Sequence, residues 1–209
     1  MRMKPVSPDR MKRNGEKMGK NETGTGNPGA LRSLVVVFSY HHNNTEKIAN
    51  ACANVLGAEV KTPRQVRPEE IAEYDLVGFG SGIYSATFDP SVLDLVDRLP
   101  HAAGKNVFLF STYGAPAFVA GREFVEKNHS QIREKLKAKG YTVIGEFGCA
   151  GWNTNSFLRF FGGLNKGRPD ADDLRNAEAF AREMMEKARR QDAEHGWTTI
   201  PEPGNTEGK

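Results

Sequence analysis

Nearly unbroken apolar runs recur along the chain, and between them the apolar residues take up helical spacing. "SLVVVFS" (33–39), "DLVGFGS" (75–81) and "KNVFLFST" (105–112) are such runs, while "AEVKT" (58–62) and "YTVIGEFG" (141–148) are strand-like but more broken. A strand that alternates apolar and polar residues buries one face only. A strand apolar at nearly every position has to be covered on both, which is the condition of parallel strands flanked by helices. The intervening segments supply those helices. Ile48, Cys52, Val55 and Leu56 share a face in the first, and Asp89 followed by Pro90 is a capping residue and a first-turn proline for a second that carries Val92, Val96 and Leu99. Residues 121–139 read as one helix with Val125, His129, Ile132 and Leu136 on one side. After "RPDADD", whose acids suit a helix start, Leu174, Ala177, Ala181, Met184 and Ala188 form the stripe of a long final helix. Five strands separated by helices predict an α/β fold with a doubly wound, five-stranded parallel sheet.

At 209 residues the chain has the length of one domain. The expected domain spans 33–194. Residues 1–32 have no periodicity and few large apolar groups, too little to offset the entropy of ordering them, and are expected to form a disordered basic tail; 195–209 read as a second, loose tail. The formal charge of +3 is concentrated in the first of these. Its eight Lys and Arg face three acids, so residues 33–209 carry −2, and nucleic acid is not an expected partner. No run reaches the roughly 18 to 20 apolar residues of a spanning helix, and the N-terminus lacks the apolar core of a secretory signal. Cys52 and Cys149 fit neither a disulfide framework nor a zinc pattern, which makes a reducing, cytoplasmic setting the default expectation.

In doubly wound sheets ligands bind beyond the carboxyl ends of the strands, where the strand order reverses, so the loops after the first, third and fourth strands come forward. The first, "SYHHNNTEK", combines hydroxyls, amides and two histidines with the unpaired N–H groups of a helix start, a setting that holds a phosphate without a lysine. Asn43 and Glu46 stand at capping-box spacing. An ordinary polar turn reads similarly when taken alone. The second loop, "GSGIYSATF" (80–88), and the third, "STYGAPAF" (111–118), each pair small residues with a tyrosine, Tyr84 or Tyr113, able to lie against a flat ring. "GFGSG" (78–82) lacks the spacing of a dinucleotide fingerprint and follows the third strand rather than the first.

These loops, in this order, resemble those of the flavodoxin-like family, which binds FMN in a sheet of strand order 2-1-3-4-5. The family's first loop typically reads Ser/Thr-x-Thr-Gly-Asn-Thr-Glu. Here Asn44, Thr45 and Glu46 are kept, Asn43 stands at the usual glycine, and His41 and His42 stand where small hydroxyl residues are common. Asn tolerates left-handed backbone best among residues with a side chain, so the loop can survive that change. The resemblance covers about residues 33–190, including "GSGIY", "FSTYG" and "GEFGCAGWNT…GGLNKGRPDADDL". It implies that Ser39, His41, His42, Asn43, Asn44 and Thr45 hold the phosphate of FMN, with at least one histidine touching it. It further implies that Gly82, Ile83, Tyr84 and Ser85 line one side of the isoalloxazine, and Ser111, Thr112, Tyr113 and Gly114 the other. No amino-acid catalyst and no metal are implied, since the flavin carries the chemistry.

The implied function is electron transfer between redox partner proteins. An NAD(P)H-dependent FMN oxidoreductase that reduces a quinone or similar acceptor is the alternative, and a non-redox domain for another phosphorylated ligand is a third reading. Among the remaining residues, His129 is expected to pack in the core, His101 and His195 to lie in loops, and Cys52 to act as a small hydrophobe. Cys149 is either structural or a thiol near the flavin. Trp152, Phe157, Phe160 and Phe161, in the long segment 149–169, are expected chiefly to cover the fold's own core, with a cap over the sheet end or a substrate pocket as the alternative.

Overall fold

The computed structural model describes residues 31–116, 120–155, 160 and 162–196, so the two expected tails lie almost wholly outside the described residues. In chain order the elements are β1 (Ser33–Phe38), α1 (Asn44–Leu56), β2 (Glu59–Lys61), a 3₁₀ turn (Pro68–Glu73), β3 (Leu76–Gly82), α2 (Pro90–Arg98) and β4 (Asn106–Tyr113). Two helices follow, α3 (Arg122–Asn128) and α4 (Ser130–Ala138), then β5 (Thr142–Ala150) and α5 (Ala171–Gly196). The sheet has the order β2-β1-β3-β4-β5, and every pairing is parallel. This is the expected doubly wound architecture. The order reverses at β1, from which the chain crosses first to one edge and then back to β3.

The apolar runs are continuous because both faces of the central strands are covered. Leu34 and Val36 of β1, Val77 and Phe79 of β3, and Val107 and Leu109 of β4 pack against Val92, Val96, Ile132 and Leu136 of α2 and α4. The alternate residues Val35, Val37, Phe108 and Phe110 meet Ile48 and Cys52 of α1 and Ala177, Ala181 and Met184 of α5. Each fully buried Val, Leu, Ile or Phe contributes about 1.5–3 kcal/mol, so the central three strands form the stable floor on which the loops stand. The strip of alanines on α5 lets that helix lie close to α1. β5 is an edge strand, and its middle residues are only half-buried. At Ile144 the register with β4 slips by one residue, and the Ile144 carbonyl accepts a hydrogen bond from Lys187 Nζ at 3.1 Å.

Three local expectations need correction. Residues 121–139 form two helices, not one, interrupted at His129. The Asn128 amide donates to Phe124 O at 2.6 Å and Ser130 Oγ to Lys127 O at 2.7 Å, so side chains compete for the carbonyls on which an unbroken helix relies. No capping box forms at α1. Asn43 lies in left-handed backbone, φ 52° and ψ 31°, and its side chain makes no capping bond, whereas a box needs an extended capping residue. Finally, α5 continues through Gly196, which puts the backbone of His195 in a helix rather than a loop. The Asp89 cap is as expected: its carboxylate accepts from Ser91 N at 2.9 Å. Among the described residues no helix is long and apolar enough to cross a membrane.

Candidate functional site

β1, β3 and β4 end side by side, and their loops meet over α1. The chain leaves β1 through Ser39–Asn43, turning at His42 and Asn43, both with φ 52°. The turn is closed by Asn44 N, which donates to His41 O at 3.2 Å. Thr45 and Thr112 join hydroxyl to hydroxyl at 2.8 Å in a buried bond that fastens the first loop to the third. Beside it is a small cavity of ≈ 80 Å³. His41, Asn44 and Thr45 line it from the first loop, Gly82, Ile83 and Tyr84 from the second, and Thr112, Tyr113 and Gly114 from the third.

The two histidines point in different directions. His41 turns inward, and its Nδ1 is buried with no partner. His42 turns outward; its ring stacks on Trp152, centroids 4.0 Å apart and planes at 20°, and its Nε2 lies 2.8 Å from Thr154 Oγ1. Asn44 Nδ2 donates to Trp152 O at 3.0 Å, which leaves Asn44 Oδ1 buried and without a partner. Unpaired buried polar atoms are uncommon because each costs about 1–3 kcal/mol, and two of them belong to residues that line this cavity. With the N–H groups at the start of α1, they offer a ring nitrogen and backbone donors for an anion and a carbonyl acceptor for a hydroxyl. FMN presents both, in its phosphate and its ribityl chain, so the donor set fits.

Tyr84 lies across the cavity, folded back over Gly82, with its hydroxyl against the backbone N–H groups of Tyr40 and His41. Burial pushes this phenol upward and outweighs the opposing pull of those two N–H groups. Beyond it, Tyr84 and Thr87 exchange backbone hydrogen bonds of 2.9 and 3.1 Å around Ser85 and Ala86, whose φ values of 50° and 64° follow the pattern of a type I′ turn. Tyr113 is different from Tyr84: its ring packs on Phe124 and its hydroxyl donates to Ala120 O at 3.1 Å.

Not every expected residue reaches the cavity. Ser85 sits exposed at the tip of its turn. Ser39 Oγ is buried and unpaired but borders a separate cleft beside Thr62 and Gln65. Ser111 points away into the interior, where its hydroxyl meets His129 Nε2 at 2.8 Å; the opposite ring nitrogen of His129 lies 3.1 Å from Glu146 Oε2, and Arg133 also bonds Glu146. Burial alone would raise the Glu146 carboxyl, but the bonds and charges of His129 and Arg133 together exceed that effect and hold it at about 2. His129 is thus the expected core histidine, completely buried. Of the third loop, Ala117, Phe118 and Val119 lie outside the described residues.

A fourth segment completes the site, one for which sequence reasoning preferred core coverage to its alternative, a cap over the sheet end. Gly151, Trp152, Asn153 and Asn155, from the loop after β5, line the same cavity. Gly151 is pressed against Asn44, where an added Cβ would come within 2.8 Å of the amide nitrogen, and Asn153 Nδ2 donates to Gly114 O at 3.3 Å. Trp152 therefore covers the site rather than the core. Phe160 is exposed, while Phe157 and Phe161 lie outside the described residues. The sequence signals for it were the length of the 149–169 segment and its place within the family resemblance. Cys149 packs into the core shared by α1 and α5, where burial first, and then Asp173, pushes its thiol far up, so it is structural. Cys52 is similar, pushed up to about 12 by burial and by Glu178.

Comparison with known proteins places these features. The Flavodoxin domain family matches residues 35–186. The uncharacterised protein MJ0298 of Methanocaldococcus jannaschii is 39% identical over 156 residues, 74% of this chain and 99% of that protein. A solved flavodoxin from the domain Archaea superposes with a TM-score of 0.54 at 20% identity, covering 76% of this chain and 99% of its own. Oxidised flavodoxin 2 from Bacillus cereus does so with a TM-score of 0.55 at 20% identity, covering 75% and 99%. At such identities the two structures speak for the fold alone.

Proposed function

The chain belongs to the flavodoxin family and is a flavin-binding redox protein, and on that premise we propose that it carries electrons between partner proteins through FMN held at the ends of β1, β3 and β4. The observation that carries this reading is that two residues lining one cavity at the start of α1, His41 and Asn44, each hold a buried polar atom without a partner, Nδ1 and Oδ1. FMN, when bound, supplies one- and two-electron redox chemistry.

The residues then have distinct duties. His41, the first N–H groups of α1 and the Thr45 hydroxyl hold the phosphate. Asn44 Oδ1 accepts from a ribityl hydroxyl. Gly82, Ile83 and Tyr84 stand on one side of the flat ring, with Tyr84 swinging off Gly82 to admit it, and Thr112 and Gly114 stand on the other. Tyr40, 73% exposed beside His41, leaves an aromatic side chain at the rim where a redox partner would dock.

Titration of FMN and of riboflavin into the protein, followed by flavin fluorescence, tests the assignment. The variant Thr45→Ala removes a hydroxyl at the anion end, and a lost bond to a charged group is worth about 1.5–3 kcal/mol. FMN affinity is expected to fall at least tenfold and riboflavin affinity hardly at all; equal losses would contradict the phosphate assignment. Turnover separates carrier from enzyme. A carrier accepts electrons from a protein reductase and barely oxidises NADPH unaided, whereas rapid NADPH oxidation with a quinone, and none with a protein donor, would replace it with the oxidoreductase.

A further inference from the structure

The first loop reaches its phosphate-ready shape by an expensive route. His42 and Asn43 both take φ 52°, and left-handed backbone is unfavourable for any residue with a Cβ, least so for Asn. Two such residues in succession keep that shape only when something outside the loop holds them. The contacts that do so come from the loop after β5. The indole of Trp152 lies flat on the imidazole of His42, Thr154 Oγ1 meets its Nε2, and the Trp152 carbonyl takes the Asn44 amide from the other side of the turn. Trp152 is itself anchored, its backbone N–H donating to Arg168 O at 3.0 Å and its ring N–H to Gly162 O at 3.1 Å. The brace is therefore a fixed wall, not a loose arm.

We propose that Trp152, with Thr154, is a positioning residue for phosphate recognition: by gripping His42 it holds the two left-handed residues that aim His41 and the start of α1 at the phosphate of FMN. The proposal rests on the FMN reading above and adds a residue outside the three loops that reading uses. The brace acts on the anion end and leaves the ring end alone, so it discriminates phosphorylated from unphosphorylated flavin.

Four variants and two ligands test it, with dissociation constants from flavin fluorescence and folding checked by circular dichroism and thermal melting. Trp152→Ala is expected to weaken FMN about tenfold, the order a lost ring stack gives, while riboflavin shifts less than twofold. Trp152→Phe keeps a ring and should recover most of the loss. Thr154→Val, which removes one hydroxyl and keeps the volume, should show a smaller change in the same direction. Asn43→Gly in the Trp152→Ala background should restore FMN binding severalfold, because glycine takes φ 52° without strain and no longer needs the brace. Wild-type protein that binds no FMN overturns the cofactor reading and this inference with it. Wild-type protein that binds FMN, with Trp152→Ala and Thr154→Val matching it, overturns the inference alone. So does an equal loss of FMN and riboflavin, which would place Trp152 at the ring, or a double variant no better than Trp152→Ala.

Discussion

Adjacent residues of one type turn to opposite sides of one loop. His41 and His42 are indistinguishable by composition, yet His41 Nδ1 is buried at the cavity while His42 is spent on Trp152 and Thr154. The reason is the turn between them: left-handed φ at His42 throws its side chain to the far side of the loop. Ser111 shows the same dependence on partners. Its place at the end of β4 suggested a ligand contact, but His129 takes its hydroxyl and links it to Glu146. Three elements supply that trio, and only His129 announced itself, through the apolar stripe around it. The link has a measurable consequence. The Glu146 carboxyl sits at about 2 against an ordinary 4.5, so the folded state binds its proton more weakly than the unfolded one. The stabilisation is complete above pH ~4.5 and is lost as pH falls toward ~2, on the order of 2 kcal/mol for a largely enclosed pair. Urea melts from pH 6 to pH 2 should show wild type losing more stability across that window than Glu146→Gln, which starts weaker; parallel profiles would remove the carboxylate from the account.

Helix starts show where local spacing misleads. Asn43 and Glu46 have the positions of a capping box but not the backbone, and the reciprocal pair occurs instead at α5. There Asp170 Oδ1 accepts from Asp173 N, and Asp173 Oδ2 from Asp170 N, both at 3.0 Å. The acids of "RPDADD" signalled that start correctly, because a capping carboxylate needs only its own helix. At α1 the loop is bent by demands from β4 and from the loop after β5, and capping yields to them. Replacing Asp170 by Ala should therefore cost about 1 kcal/mol, as for other capping residues. Glu46→Ala, an exposed residue with no such bond, should change stability by less than ~0.5 kcal/mol. Chemical denaturation of the two variants beside wild type checks both, and a Glu46→Ala loss as large as that of Asp170→Ala would mean the box forms after all. The split of residues 121–139 into α3 and α4 is local in origin, since the side chains of Asn128 and Ser130 bond carbonyls four and three residues back, which a helical stripe does not reveal.

At the scale of the whole molecule, a sheet whose central strands are buried on both faces supports four loops at one end. A ligand that joins them stabilises the native state by mass action: at free FMN one hundred times its dissociation constant the gain is about 2.7 kcal/mol. For a domain of this size that corresponds to a rise in melting temperature of roughly 5–10 °C, with a smaller rise for riboflavin at equal concentration. An unchanged melting curve at saturating FMN would dismantle the site as drawn. The strands, the order in which helices separate them, the Asp89 cap, the buried cysteine of α1 and the core place of His129 were all legible from residue patterns, because each depends on neighbours within a few turns or on the simple need to bury a face. Tertiary structure alone decided which histidine lines the cavity, that Ser111 belongs to His129, and that Trp152 packs on a loop more than a hundred residues earlier in the chain. Those outcomes depend on which elements the sheet brings together, and contacts made across such distances leave no period in the sequence.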